Sequence, residues 1–313
     1  MKKYCFGIDV GGTTVKMGFF ETSGKMIDKW EIKTNTDNYG ENILGDICDA
    51  MDKELAKQGV SLDEIEGVGI GLPGPITEDG TVIQCVNLGW GTFNVEQKLS
   101  EMYHGIKVKA GNDANVAALG EAWQGGGKDF DSLVMITLGT GVGGGIILGG
   151  KILTGATGGA GEVGHMHVAY DETDFCNCGR KGCLEQKASA TGIVKEAKRY
   201  MERTDAPTKM RDFAEITAKD VFDLAKEGDE GALAVVDEMS KYLGIAMAHI
   251  AVVVNPDAFI IGGGVSKAGQ FLLDSVKVKY RESCLGPCGE AALRLATLGN
   301  DAGMYGAAAQ IVL

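Results

Sequence analysis

Three cysteines stand within eight residues in Cys176-Asn177-Cys178-Gly179-Arg180-Lys181-Gly182-Cys183. Thiolates at C-x-C and C-x4-C spacing can converge on one ion, and Gly179 and Gly182 allow the tight backbone path between them. A packed core has no need of three cysteines set among Gly, Arg and Lys. Tetrahedral zinc requires a fourth ligand, and the chain has only four histidines. His165 is the nearest, with His167 its rival. A closed site of three Cys and one His leaves no position for water, so its role is to fix a loop. The residues it would fix are Glu185, just after the last thiolate, and Gly161-Glu162-Val163-Gly164-His165.

The other stretches able to do chemistry are rich in glycine. Asp9-Val10-Gly11-Gly12-Thr13-Thr14 joins two apolar runs, 4–10 and 15–20, and reads as a hairpin whose turn can aim backbone N–H groups at an anion. A plain glycine turn explains that motif equally well when it is taken alone. The order then recurs: run 133–138, loop Gly139-Thr140-Gly141-Val142-Gly143-Gly144-Gly145, run 146–148, and a Gly150-Lys151 turn matching Gly24-Lys25. This is an internal duplication of a three-stranded meander. Two equivalent glycine loops, one from each half, could hold a polyphosphate. Asn112-Asp113 follows a strand at 106–109 and precedes a helix reaching about residue 123. Asp113 is placed there to accept a proton, to cap the helix, or both. Gly262-Gly263-Gly264 sits between a strand at 258–261 and a helix, a nucleotide-site pattern without the second spacing of a dinucleotide fingerprint.

Ordinary elements must position these residues. Ile43, Ile47, Met51 and Leu55 recur every fourth residue, predicting an amphipathic helix over 41–58. Strands are expected at 25–33, 65–71, 82–86, 151–153 and 293–298, and helices at 95–103, 188–202, 218–227, 232–254 and 304–312. Thr217 and Asp220 form a capping-box pattern ahead of the 218–227 helix. At 313 residues the chain is too long for one ordinary core. A net charge of −13 argues against nucleic acid or anionic membrane as a main partner. The most apolar tract, 245–254, is too short to span a bilayer. Met1-Lys2-Lys3 runs straight into a strand with no signal-peptide pattern, and eight cysteines then suggest a reducing, cytoplasmic setting.

Taken together, Asp9-x-Gly11-Gly12-Thr13, Leu138-Gly139-Thr140-Gly141, Gly161-Glu162-x-x-His165 and Cys176-x-Cys178-Gly179-x-x-Gly182-Cys183-x-Glu185 resemble the ROK family (repressors, open reading frames, kinases). The resemblance covers essentially the whole chain, and the tract 183–192 looks most like the family's bacterial ATP-dependent glucokinases. It implies an α/β, actin-like (RNase H-like) duplicated two-domain sugar kinase with a cleft between domains. Expected domains are 1–118 plus 301–313, with the first phosphate loop and the catalytic Asp, and 119–300, with the second phosphate loop, the zinc motif and the adenosine pocket. The resemblance also implies roles. Asp113 is the general base; Asn112, Asp113, Glu162, His165 and Glu185 contact sugar hydroxyls; His165, Cys176, Cys178 and Cys183 hold structural zinc. Gly11, Gly12, Thr13, Gly139, Thr140 and Gly141 cradle phosphates, Asp9 is associated with magnesium, and Gly263 and Gly264 lie near adenosine.

The chemistry is coherent on its own terms. A hexose hydroxyl is a poor nucleophile, so a carboxylate must take its proton as the γ-phosphoryl group of ATP moves. The expectation is therefore a cytoplasmic glycolytic transferase using ATP and Mg²⁺, with structural Zn²⁺, that makes glucose 6-phosphate. N-acetylmannosamine or N-acetylglucosamine is the alternative substrate. A sugar-responsive repressor fits less well, since the first strand starts at Tyr4 and leaves no room for a preceding DNA-reading module. A polyphosphate donor would want a basic groove, of which this acidic chain gives little sign. The family's kinases imply a homodimer or homotetramer.

Overall fold

The computed structural model describes residues 2–313. In chain order its first elements are β1 (Tyr4–Val10), β2 (Thr14–Glu21), β3 (Met26–Lys33), α1 (Asp37–Gly40), α2 (Ile43–Gln58), β4 (Ile65–Leu72), β5 (Thr81–Val82) and β6 (Phe93–Asn94). Next come α3 (Val95–Met102), β7 (Val108–Asn112), α4 (Asp113–Gln124), β8 (Leu133–Leu138), β9 (Val142–Leu148) and β10 (Lys151–Ile152). The chain closes with α5 (Glu185–Ala188), α6 (Ala190–Arg203), α7 (Ala218–Lys226), α8 (Glu230–Val254), β11 (Ala258–Gly262), α9 (Gln270–Ser283), β12 (Ala292–Leu295) and α10 (Ala302–Val312).

The first sheet has the order β3-β2-β1-β4-β7, an antiparallel meander extended by two parallel strands. β4 is buried along nearly its whole length, whereas β3 alternates half-buried and exposed residues as an edge strand does. On one face, α2 sets Ile43, Ile47, Met51 and Leu55 into a core with Phe6, Ile8 and Phe19. On the other, α10 packs Met304, Ala308 and Ile311 against Cys5 and Phe20, and α4 packs on α10. A Cβ at Gly69 would lie 1.7 Å from Ala307 O, so only glycine allows that helix so close to the sheet.

The second sheet repeats the plan with the order β10-β9-β8-β11-β12, its last two strands again parallel. The meander duplication inferred from the two glycine loops is therefore a duplication of whole sheets. α8 packs with α6, α7 and α9 and buries fourteen of its 25 residues. Asp229 caps it by accepting from Ala232 N–H, and Thr217 with Asp220 completes the capping box of α7.

By contacts the chain forms two compact units, Met1–Asp131 with Gly145–Gly161 and Thr297–Leu313, and Ser132–Gly144 with Glu162–Ala296. The sequence placed its boundary at 118/119, inside what is an unbroken α4, and did not detect that 145–161 returns to the first unit. Glu121 of α4 helps hold that unit together. Its fully buried carboxylate accepts from Gly126, Thr297 and Leu298 N–H at 2.8 to 3.1 Å.

Several local expectations are corrected. Residues 82–86 are not a strand beyond Val82, because Cys85 and Trp90 close a turn on each other and residues 86–88 coil. Gly143, Gly144 and Gly145 belong to β9, so the second glycine loop is only Gly139-Thr140-Gly141. Gly145 is glycine for packing, since a Cβ there would meet Ala118 Cβ at 2.6 Å. β7 lies two to three residues later than expected and ends at Asn112. The helix expected over 188–202 is two helices, broken where extended Ser189 caps α6. A 3₁₀ turn, Gly264–Ala268, intervenes before α9.

Candidate active site and metal centre

In the first unit the strand register collects the predicted residues at one edge. Asp9 pairs with Gly71, and Gly71 with Gly111, so the C-terminal ends of parallel β1, β4 and β7 lie side by side. That edge is where open α/β sheets place their ligands. Asp9 is half-buried, and burial holds its carboxyl above the usual range against the opposing pull of Lys16. Past β1, Gly11 N–H donates to Thr14 O at 2.9 Å, and Thr34 donates through its hydroxyl to Gly11 O and through its N–H to Thr13 O. The N–H groups of Gly12 and Thr13 take no part in these bonds.

Asn112, not Asp113, is the N-cap of α4. Its Oδ1 accepts from Ala114 and Asn115 N–H at 3.0 and 3.2 Å, and its Nδ2 donates to Gly74 O at 3.0 Å. The Leu72-Pro73-Gly74 loop is thereby tied to the start of α4, and the Cys85 thiol ties it again at Pro73 O. Asp113 is exposed in the first turn, its Oδ1 accepting from Ala114 N–H at 2.7 Å. The sequence offered the cap to Asp113, and the structure gives it to Asn112.

In the second unit the remaining residues gather around the start of β9. Gly139 N–H closes the glycine loop on Gly141 O at 2.9 Å. Glu185 Oε2 accepts Val142 N–H at 3.1 Å, and a Cβ at Gly141 would collide with that carboxylate at 2.3 Å. Gly164 packs on Val142 O, placing the 3₁₀ turn Val163–His165 and exposed Glu162 beside the same strand end. Thr191 of α6 donates to Thr140 O at 3.0 Å, a contact with no signal in the sequence. Gly263, at φ +82°, fits its backbone against Leu138, where a Cβ would lie 2.4 Å from a carbonyl, so it is required by the fold. Gly264 has open space around it.

The cysteine cluster closes as its spacing suggests. Residues 166–168 pair with 182–184, through Leu184 N–H to Met166 O, Val168 N–H to Gly182 O and a bridge between His167 and Cys183. This pairing turns His167 onto the Tyr170 ring and delivers His165 to the thiols. One ligand atom from each of His165, Cys176, Cys178 and Cys183 lies within 4.8 Å of the others. Cys178 and Cys183 Sγ are 3.6 Å apart, and Cys176 Sγ is 3.9 Å from His165 Nδ1. Burial pushes the Cys183 thiol up to about 12, while Arg180 N–H holds the exposed Cys178 thiol below its ordinary value. Cys176 Sγ is also 3.7 Å from Glu185 Oε1, so the cluster and the carboxylate share one wall.

A family model described as "ROK family" matches residues 5–312. The chain belongs to the ROK family. Over 97% of its length this ROK chain is 45% identical to a glucokinase of Halalkalibacterium halodurans, 93% of which is covered. A crystal structure of a ROK family glucokinase from Streptomyces griseus, in complex with glucose and AMPPNP, superposes with a TM-score of 0.71 at 34% identity. That comparison covers 97% of this chain and 98% of the other. An N-acetyl-D-glucosamine kinase of Citrobacter koseri is 33% identical over 83% of this chain and 84% of its own. With such neighbours and its duplicated sheets, the ROK chain has the actin-like sugar-kinase fold.

Proposed function

We propose that this chain is an ATP-dependent glucokinase, transferring the γ-phosphoryl group of ATP to the 6-hydroxyl of glucose. The observation that carries the reading is an exposed Asp113 carboxylate beside the Asn112 cap, in a chain 45% identical over 97% of its length to a glucokinase. Asp113 takes the hydroxyl proton as the phosphoryl group moves. Asn112 has spent both acceptor sites of Oδ1 and one N–H of Nδ2, so it can offer the sugar only its second N–H. Glu162 and Glu185 accept from further sugar hydroxyls. His165 turns Nδ1 toward the thiols, leaving Nε2 for a hydroxyl. The Gly11-Gly12-Thr13 and Gly139-Thr140-Gly141 backbones take the phosphates, and Gly264 offers the adenosine an open approach.

Two metals fit the residues present. With a Zn–S distance near 2.3 Å, the edge of a tetrahedral site is about 3.8 Å. The 3.6 Å between Cys178 and Cys183 Sγ lies close to it, and with all four ligand atoms within 4.8 Å of one another, His165, Cys176, Cys178 and Cys183 suit structural zinc. Asp9, whose charge is disfavoured by burial, suits a Mg²⁺ ion accompanying ATP, which would neutralise charge on the phosphates. The reading extends to a cytoplasmic glycolytic enzyme acting as a homodimer or homotetramer, with no nucleic-acid partner at a net charge of −13. No described helix is long and apolar enough to cross a membrane.

A coupled assay over glucose, N-acetylglucosamine and N-acetylmannosamine, with ATP and with polyphosphate, tests the proposal. Glucose with ATP should give the highest kcat/KM. Preference for an N-acetylated sugar, the reading favoured by the N-acetyl-D-glucosamine kinase relative, would overturn the glucose assignment.

A further inference from the structure

Between His165 and Cys176 the chain runs ten residues, the first three of which pair with 182–184. Much of this loop is open to solvent, with Tyr170 82% and Phe175 71% exposed. Val168, Ala169 and Glu172 are buried in it, and of these only Glu172 carries a charge. The Glu172 carboxylate is 1% exposed and accepts Arg199 Nη1 at 2.8 Å, Arg199 Nη2 at 2.7 Å and Lys187 Nζ at 3.0 Å. Lys187 is itself buried, lies over the Tyr242 ring and stands two residues after Glu185 on α5. Arg199 belongs to α6, whose first residues bond the second glycine loop through Ala190 N–H to Gly139 O and Thr191 Oγ1 to Thr140 O. Asp174, two residues before Cys176, takes a third Arg199 bond at 2.8 Å, and its carbonyl accepts Gln186 Nε2 at 3.0 Å.

A carboxylate this deeply buried persists only when paired, and here both cations come from the elements that carry Glu185 and abut the glycine loop. Resting on the zinc and hexose roles proposed above, we infer that Glu172 is a positioning residue. Clamped by Arg199 and Lys187, it fixes the Cys176 end of the metal loop and the setting of Glu185 as one body. It touches neither metal nor sugar. Its loss should therefore loosen metal and raise the KM for sugar without slowing the chemical step.

The test compares Arg199→Lys and Glu172→Gln with the parent, each loaded with zinc. Arg199→Lys keeps a cation beside Glu172 but loses the two-pronged fork, so it should fold even if Glu172→Gln does not. Zinc release to a chromogenic chelator should quicken about tenfold and the KM for glucose should rise about tenfold, with kcat within about threefold. Lys219→Ala, which breaks the exposed pair with Asp223, should change none of these. A folded Arg199→Lys with parental zinc release and parental glucose KM overturns the inference. A parent that phosphorylates glucose without holding zinc overturns the metal reading alone, and the KM of Arg199→Lys then decides. A parent that holds zinc but phosphorylates no hexose overturns the kinase reading, and zinc release decides.

Discussion

Capping α4 is a task that either Asn or Asp can perform, and Asn112 performs it, whereas the proton acceptance proposed for Asp113 needs a carboxylate. Because the cap falls to Asn112, Asp113→Asn leaves the cap of α4 in place, and an Asn Oδ1 can still accept Ala114 N–H. The unfolding midpoint should stay near the parent's, while kcat at saturating glucose and ATP falls on the order of 10²–10⁴-fold, the usual cost of losing a positioned base. A folded variant within about threefold of parental kcat would place the base elsewhere. The glycines allow an equally sharp test. Neither Gly12 nor Gly139 has positive φ, and an added Cβ would find its nearest neighbours at 3.6 and 3.9 Å, ordinary contact distances. The fold itself leaves room for a Cβ at both, so its addition probes the proposed phosphate contact alone. Gly12→Ala and Gly139→Ala should fold normally yet raise the KM for ATP roughly tenfold to a hundredfold by pushing phosphates off the backbone. An unchanged ATP KM in both would make these loops simple turns.

At the scale of elements, the metal loop was legible in part. Cysteine spacing singled out three of the four clustered side chains, because thiols at C-x-C and C-x4-C spacing can converge. That His165 rather than His167 joins them depends on the pairing of 166–168 with 182–184, which two such short segments do not announce. Glu172 was illegible for a similar reason: flanked by Asp171 and Asp174, it reads as a solvated acid until α5 and α6 supply its cations. The false strand at 82–86 shows the opposite error, where β-branched residues outvoted a turn closed at Cys85 and Trp90. For the loop itself, Cys178→Ser should abolish a zinc content of about one per chain, measured by elemental mass spectrometry, and cost most of the hexose phosphorylation. Full activity in a zinc-free variant would separate the loop from the site.

For the whole molecule, the duplication was readable because turn glycines and strand lengths repeat, and the parallel strands completing each sheet follow from the fold it implied. Unit boundaries were not readable, since they depend on a chain that leaves and returns. One such return runs past Glu121. Three backbone N–H groups, on Gly126, Thr297 and Leu298, end on a carboxylate with no exposed surface. Loops of this composition normally trade their amide protons with solvent in moments, yet these can do so only when α4 releases Glu121. In deuterated buffer, peptides spanning 125–127 and 296–298 should take up label on the timescale of the sheet strands, and Glu121→Ala should collapse that delay to loop values. Rapid labelling of the parent at those positions would show the carboxylate to be a bystander. If the delay is there, two stretches that look like slack in the chain are among its slowest clocks.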